Sequence, residues 1–271
     1  VAKLPAKVNT AYKRAVAAAL DYENQSNPIV VDISGMGLSS ADARHVQYLL
    51  NHNGEMFFID TWTDANYTKN KLTLRCYYDD ATITKMRGKI DTAVSKAMKR
   101  ISSKMDDATK VLTLHDYLVD LIDYEEHAKT AYDGLINKEA DCFGYTMTMD
   151  LVLRRAGFAT DVARTANGMH VWNLVKVSGK WYHIDLTWDS KFPGGNSYLS
   201  PYWTNKHCHL FLLQPSSRMV KDGYLEEGHK PWWSHHQCNS KTYYAAAMAG
   251  TTFAENKYKL YTTGFSVSGL K

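Results

Sequence analysis

The chain has 271 residues and a mass of 30.7 kDa, with 45% hydrophobic, 22% charged and 12% aromatic residues. That is one large or two small domains, too aromatic and too poor in proline for a disordered or collagen-like protein. No run approaches the roughly 20 apolar residues that span a bilayer. The net charge of +4, from 32 basic and 28 acidic residues, is spread along the chain and does not suggest a nucleic-acid partner. Four cysteines are too few for a disulfide scaffold. The chain opens at Val1 rather than Met, so a processed or trimmed protein is expected, with any secretion signal out of view.

In chain order, apolar spacing predicts a helix over 6–22 through Tyr12, Val16, Ala19 and Leu20. A short strand over 29–33 follows Pro28, and a turn is expected at Gly35 and Gly37. Ser39 or Ser40 can cap a helix that runs to about residue 50, where Asn53-Gly54 stops it. Two β-rich runs, 56–62 and 72–78, read as a hairpin joined by a polar stretch. Amphipathic patterns predict helices over 84–105 and 108–122, separated by Asp106-Asp107. Asp141 is a candidate cap for a helix over 142–156, closed by Gly157. Strands are expected over 160–165, 170–177 and 180–188, then a loop over 190–206 and a fourth strand over 209–213. The division expected is an N-terminal α/β extension, 1–106, and a core, 107–271.

Thiol chemistry needs a nucleophile that can lose its proton, a base in reach and a group to orient that base. Cys142 opens a helix, where unpaired N–H groups and the helix dipole favour an anion and offer donors to an oxyanion. Gly144 keeps that first turn slim for a close neighbour. If Ser178-Gly179 is a two-residue hairpin loop, Val177 pairs with Lys180 and partners sum to 357. His170 then faces Thr187, and Trp172 faces Asp185, all on one side of the sheet. His170 and Asp185 become diagonal neighbours, about 7–8 Å apart at the backbone. His183 shares that face and competes for Asp185.

Three blocks carry a resemblance: Asp141-Cys142-Phe143-Gly144-Tyr145, Gly168-Met169-His170-Val171-Trp172-Asn173, and the run from Gly179-Lys180-Trp181-Tyr182 through Asp185-Leu186-Thr187-Trp188-Asp189. Together they resemble the core of the bacterial transglutaminase-like superfamily, and His115-Asp116-Tyr117-Leu118 resembles a segment that often precedes it. The resemblance implies an α+β, papain-like fold, a Cys-bearing helix packed on an antiparallel sheet. It implies nucleophile Cys142, base His170 and orienting acid Asp185, with no cofactor. It also implies acyl transfer from peptide or protein amides, glutamine included, to an amine or to water, in a secreted or cell-surface protein. Phe143, Tyr145, Trp172, His183 and Trp188 are the oxyanion or cleft candidates. The chain departs from the usual pattern at Ala140, where many relatives have Gly. It departs again at Phe143, where many have a polar residue, and at the extra Met169.

Other features remain open at this level. His207, Cys208 and His209, with His235, His236 and Cys238, are a weak zinc candidate against a surface role. A Cys208–Cys238 disulfide is the alternative. His115 and Asp116 read as a structural hydrogen-bonding pair, and Asn66-Tyr67-Thr68 as a weak glycosylation sequon. The rival function is a non-catalytic surface module of the same fold, motivated by Phe143 and the aromatic stretch over 198–233.

Overall fold

The computed structural model describes residues 5–21, 27–60, 66–165, 168–190, 209, 211–221 and 236–243. The chain divides into two compact units, 2–91 and 92–271, each considered separately below.

In the first unit, α1 (Ala6–Leu20) buries Val8, Ala11, Ala15 and Ala19, small residues three and four apart on one face. Strand β1 (Ile29–Asp32) buries Ile29 and Val31 by alternation. Helix α2 (Ser40–Asn51) starts with a reciprocal cap: Asp42 N–H donates to the Ser39 hydroxyl, and Ser39 N–H donates to the Asp42 carboxylate. The sheet has the order β1-β3-β2, with β3 (Lys71–Leu74) antiparallel to both β1 and β2 (Asn66–Tyr67).

The expected hairpin of 56–62 with 72–78 is therefore corrected. Residues 54–60 form a short 3₁₀ turn, Gly54–Met56, and a single bridge, Ile59 to Cys76. The Asn53 side chain accepts from Glu55 N–H and starts that turn. Phe57 and Phe58 then bury themselves through the turn rather than on alternate faces of a strand. The partners of β3 are instead β1 and β2, and β2 lies in the polar stretch between the two runs.

Helix α3 (Asp80–Met98) begins earlier than expected from 84–105, because Asp79 caps it by accepting from Thr82 N–H. It also ends earlier, in turns over 99–105.

In the second unit, Asp106, expected only as part of the break between two helices, caps α4 (Asp107–Leu121) through Thr109 N–H. Two short strands, β4 (Asp123–Tyr124) and β5 (Glu139–Ala140), pair in parallel. Between them lies a wide turn, Asp133–Asn137. Helix α5 (Cys142–Arg155) is buried continuously from Gly144 to Leu153 and packs against α4 and the sheet. It closes at Gly157, whose φ of 88° lets Phe158 N–H return to the Leu153 carbonyl.

The antiparallel sheet β6-β7-β8 comprises β6 (Thr160–Arg164), β7 (Val171–Val177) and β8 (Lys180–Ile184). Val177 pairs with Lys180 and Asn173 with Ile184, the register expected from a Ser178-Gly179 loop. One face builds a core from Ala163, Trp172, Leu174, Phe211, Met219 and Cys238, with Trp181 and Trp188 against it.

Two expected strands are corrected here. Strand β8 stops at Ile184 instead of running to 188. Asp185 caps a single helical turn, α6 (Leu186–Asp189), accepting from Trp188 N–H at 3.2 Å. Residues 211–213 are a turn rather than a strand, because Phe211 N–H donates to the Asp189 carboxylate at 3.1 Å. Gln214 pairs with the sheet, exchanging two backbone bonds with His183. Helix α7 (Ser216–Lys221) follows. Residues 191–206 of the expected loop, His207, Cys208, His235 and two thirds of 198–233 lie outside the described residues.

Candidate active site

Asp141 organises the start of α5. Its Oδ1 accepts from Phe143 N–H at 2.9 Å and Gly144 N–H at 3.0 Å, while Oδ2 pairs with Lys129 Nζ at 3.0 Å. A carboxylate beside a nucleophilic thiol would oppose its ionisation, and Lys129 offsets that charge. The cap also corrects an expectation. Two N–H groups of the first turn are already committed to Asp141, which leaves the Cys142 amide as the backbone donor at the helix start.

Gly144 is required by packing. A Cβ there would lie 2.2 Å from the Ala128 carbonyl oxygen and 2.9 Å from the Ala140 Cβ. That carbonyl is itself held by Asp141 N–H at 2.9 Å.

Two polar residues fasten this turn to β7. Asn173 Nδ2 donates to the Thr146 carbonyl at 2.9 Å, and Thr146 Oγ1 lies 3.1 Å from the Val171 carbonyl. Both side chains are buried. Val171 follows His170 directly, so these bonds set the imidazole against Cys142. His170 and Cys142 are hydrogen-bonded, and Cys142 is half-buried.

His170 Nε2 lies 2.6 Å from Asp185 Oδ2. With Nε2 committed to the carboxylate, Nδ1 is the nitrogen left for the thiol. Burial works against a charged His170 ring. The Asp185 charge and hydrogen bond outweigh it, with smaller help from Cys142, and push the pKa up to about 10. Asp185 is 1% exposed and spends its other oxygen on the α6 cap, so its orientation is set twice over. The His–Asp contact is thus made at a strand-to-helix turn. It is not the cross-strand diagonal expected from two long strands.

The other expected site residues divide. Trp172 stacks on His170, with ring centroids 5.7 Å apart and planes at 20°. Trp188 meets the same ring edge-on at 6.2 Å. Phe143 is half-buried beside the nucleophile.

Tyr145 does not line a cleft. It is 1% exposed, and its hydroxyl donates to the Ile122 carbonyl at 2.8 Å, because the helix turns it into the core. His183 does not compete for Asp185. Its Nδ1 accepts from Trp172 Nε1–H at 2.8 Å, and its Nε2 faces Ser216 Oγ at 3.1 Å. Burial pushes its pKa down to about 3, so the ring is neutral and donates to Ser216.

Sequence reasoning missed Lys129, Thr146 and Tyr124. Tyr124 pairs with Ala140 across β4 and β5. Its phenol pKa is raised, by burial first and then by the charges of Cys142 and Asp141. Asn173 stands in the second block, and a polar residue inside that apolar strand run is the signal that points to its buried hydrogen-bonding role.

The other described cysteines, Cys76 and Cys238, are not placed for chemistry. Cys238 is a free, buried thiol, and Cys208, its expected disulfide partner, lies outside the described residues. Burial raises its pKa, with Asp161 adding to the effect. Cys76 is pushed up to about 11 by burial and by Asp80. His236 stacks on Trp181 at 3.7 Å.

A cysteine at a helix start, a histidine ahead of a strand and an aspartate just past the next strand, hydrogen-bonded in line, are the parts of an α+β, papain-like core. Residues 95–186 match the family model of the transglutaminase-like superfamily, and the chain carries a transglutaminase-like core over that segment. No curated protein matches the chain. Among solved structures it is similar to a proposed cysteine protease from Cytophaga hutchinsonii, with 14% identity over 44% of this chain and 52% of that one, at a TM-score of 0.32. It is also similar to a TGase, with 14% identity over 77% of this chain and 62% of that one, at a TM-score of 0.38. The chain therefore spans about half to three fifths of the length of these relatives. Among the described residues, no helix is long and apolar enough to cross a membrane.

Proposed function

We propose that the chain is a thiol-dependent acyltransferase or amidase acting on amide groups of peptides or proteins. Cys142 is the nucleophile, His170 the acid–base and Asp185 the orienting acid. The observation that carries this reading is the unbroken line from Cys142 through His170 to Asp185, with the thiol half-buried rather than sealed.

In the first half-reaction His170 holds the thiol proton on Nδ1 as an imidazolium, and the Cys142 sulfur attacks the amide carbonyl carbon. The Cys142 amide donates to the developing oxyanion. His170 then protonates the leaving nitrogen, the C–N bond breaks, and a thioester remains. In the second half, an amine or water attacks the thioester after giving its proton to His170, and the thiol is restored. Phe143 supplies no hydrogen bond to the oxyanion, which leaves its side chain to contact the substrate by apolar packing. Trp172 and Trp188 screen the His–Asp pair from water, which strengthens its electrostatics. The resemblance favours an extracellular or cell-surface setting, where protein amides are the abundant substrate.

The test is a screen of glutamine-containing peptides with and without a primary amine. Ammonia release, peptide cleavage and amine incorporation are read separately, with Cys142→Ala as control. At least one product that disappears in Cys142→Ala supports the proposal. No product, together with alkylation of Cys142 no faster than that of a free thiol, overturns it in favour of a binding module.

A further inference from the structure

Away from the triad, one other cluster of ligand-type side chains gathers among the described residues. His115 and Asp116 are consecutive on α4, and His209 comes from the segment beyond α6. His115 Nδ1 lies 3.0 Å from Asp116 Oδ1, and His209 Nε2 lies 2.7 Å from the same oxygen. The three ligand atoms fall within 4.8 Å of one another.

We propose that His115, Asp116 and His209 form a binding site for a divalent transition ion of the zinc class, with water completing its coordination. Two imidazole nitrogens and one carboxylate oxygen suit Zn²⁺ or Co²⁺ and ill suit Ca²⁺ or Mg²⁺, which take oxygen ligands. Ligands about 2.0–2.1 Å from a tetrahedral ion stand roughly 3.3 Å apart, so the 3.0 Å and 2.7 Å spacings would open by about 0.3 and 0.6 Å.

The outer contacts fit as well. His115 Nε2 lies 3.2 Å from Asp189 Oδ2, and both side chains are fully buried. That is the carboxylate–histidine pairing that fixes a ligand ring and aims its other nitrogen at the metal. Asp116 and His209 keep 25% and 11% of their side chains exposed, which provides an entry and room for water. On binding, the imidazole protons now shared with Asp116 are released to solvent. The arrangement also relocates the zinc candidate read from the sequence. His209 is drawn to α4, while His236 lies against Trp181 and Asp161. The ion would tie α4 to the segment that holds α6, whose first residue follows Asp185.

The experiment uses the full chain with Cys142→Ser, since a thiol beside an imidazole is itself a metal ligand pair. Co²⁺ is titrated while its visible d–d absorption is followed, and Zn²⁺ is then added in competition. The expected result is saturation at one equivalent and displacement by Zn²⁺. Binding should be at least ~10-fold weaker in Asp116→Asn and in His209→Gln, and unchanged in His236→Gln. The thermal midpoint should rise with Zn²⁺ in the parent and not in the two weakened variants. Circular dichroism checks folding, and the part-exposed His209 serves if Asp116→Asn misfolds. No saturable binding, or one-equivalent binding untouched by either substitution, overturns the site. Either outcome is independent of whether Cys142 is a nucleophile.

Discussion

The Asn173 side-chain amide donates to the Thr146 backbone carbonyl at 2.9 Å, and this bond fastens the first turn of α5 to the strand that follows His170. Sequence distance hides the link, since 27 residues separate the partners. Its consequence is local: the nucleophile and its base come from different elements, and buried polar bonds hold those elements in register.

Asn173→Ala therefore leaves a buried carbonyl without its partner. A loss of about 1–3 kcal/mol is expected in urea denaturation. Turnover should fall further, about 100-fold, because a displacement of about 1 Å at the nucleophile is costly. A variant that loses stability but keeps full turnover would show that the bond serves folding alone.

The His170–Asp185 pair gives stability its own pH window. The folded pKa of His170, about 10, stands above the ordinary unfolded value of about 6.5. The folded state therefore holds the proton more tightly. The contribution is fully present below about pH 6.5 and is lost as pH rises through about 10. The stability advantage of the wild type over Asp185→Asn is expected to shrink across that range, measured by denaturant unfolding at stepped pH. An advantage that stays constant or grows would contradict the pairing. Activity of Asp185→Asn should be lower by at least ~100-fold, because the base loses its orienting partner.

His183 works in the opposite direction. Its folded pKa of about 3 lies below the unfolded value, so acid favours the unfolded chain as pH falls from about 6.5 toward 3. Replacement by Gln, which cannot take up a proton there, should flatten the acid limb of the stability profile. An unchanged limb would assign acid sensitivity to other groups.

The described thiols should separate by reactivity. Burial raises the pKa of both Cys76 and Cys238, whereas Cys142 is half-buried and hydrogen-bonded to an imidazole. At pH 7, iodoacetamide is expected to label Cys142 at least ~10-fold faster than either of the others, read by peptide mass mapping. His170→Ala should remove most of that difference.

Two glycines make a packing contrast. Gly144→Ala sets a Cβ 2.2 Å from a hydrogen-bonded backbone carbonyl, and a loss of about 3 kcal/mol is expected. Gly88→Ala, inside α3 with nothing within 4 Å of the added carbon, should stabilise by up to about 1 kcal/mol. Thermal midpoints of the two variants decide the matter.

Much of the second unit was legible because short-range signals agreed there. Asp106-Asp107 reads as a helix break, Asp141 as a cap, Gly157 as a helix stop and Ser178-Gly179 as a tight loop, and each occupies that place. The register followed from the loop length, since each added residue would turn every side chain to the other face. The failures share one cause. At 185–189 and 211–213, and again around Phe57, an apolar, β-prone run was diverted into a turn by a polar side chain that captured a backbone N–H. Those N–H groups belong to Trp188, Phe211 and Glu55. Propensity counts side chains in a window and cannot see that competition.

By itself, the sequence determined the chemistry on offer: a cysteine at a helix start, a histidine and an aspartate one hairpin apart, and one family pattern around them. Local rules sufficed, because caps, loop length and strand parity act over a few residues. Tertiary structure decided which partners these groups took. It gave Asp185 to His170 rather than His183, turned Tyr145 into the core and used up two N–H groups of the first turn on Asp141. It also brought His209 to a helix 93 residues away. Such choices depend on which buried polar atoms meet once the core closes, and each must be satisfied at that moment.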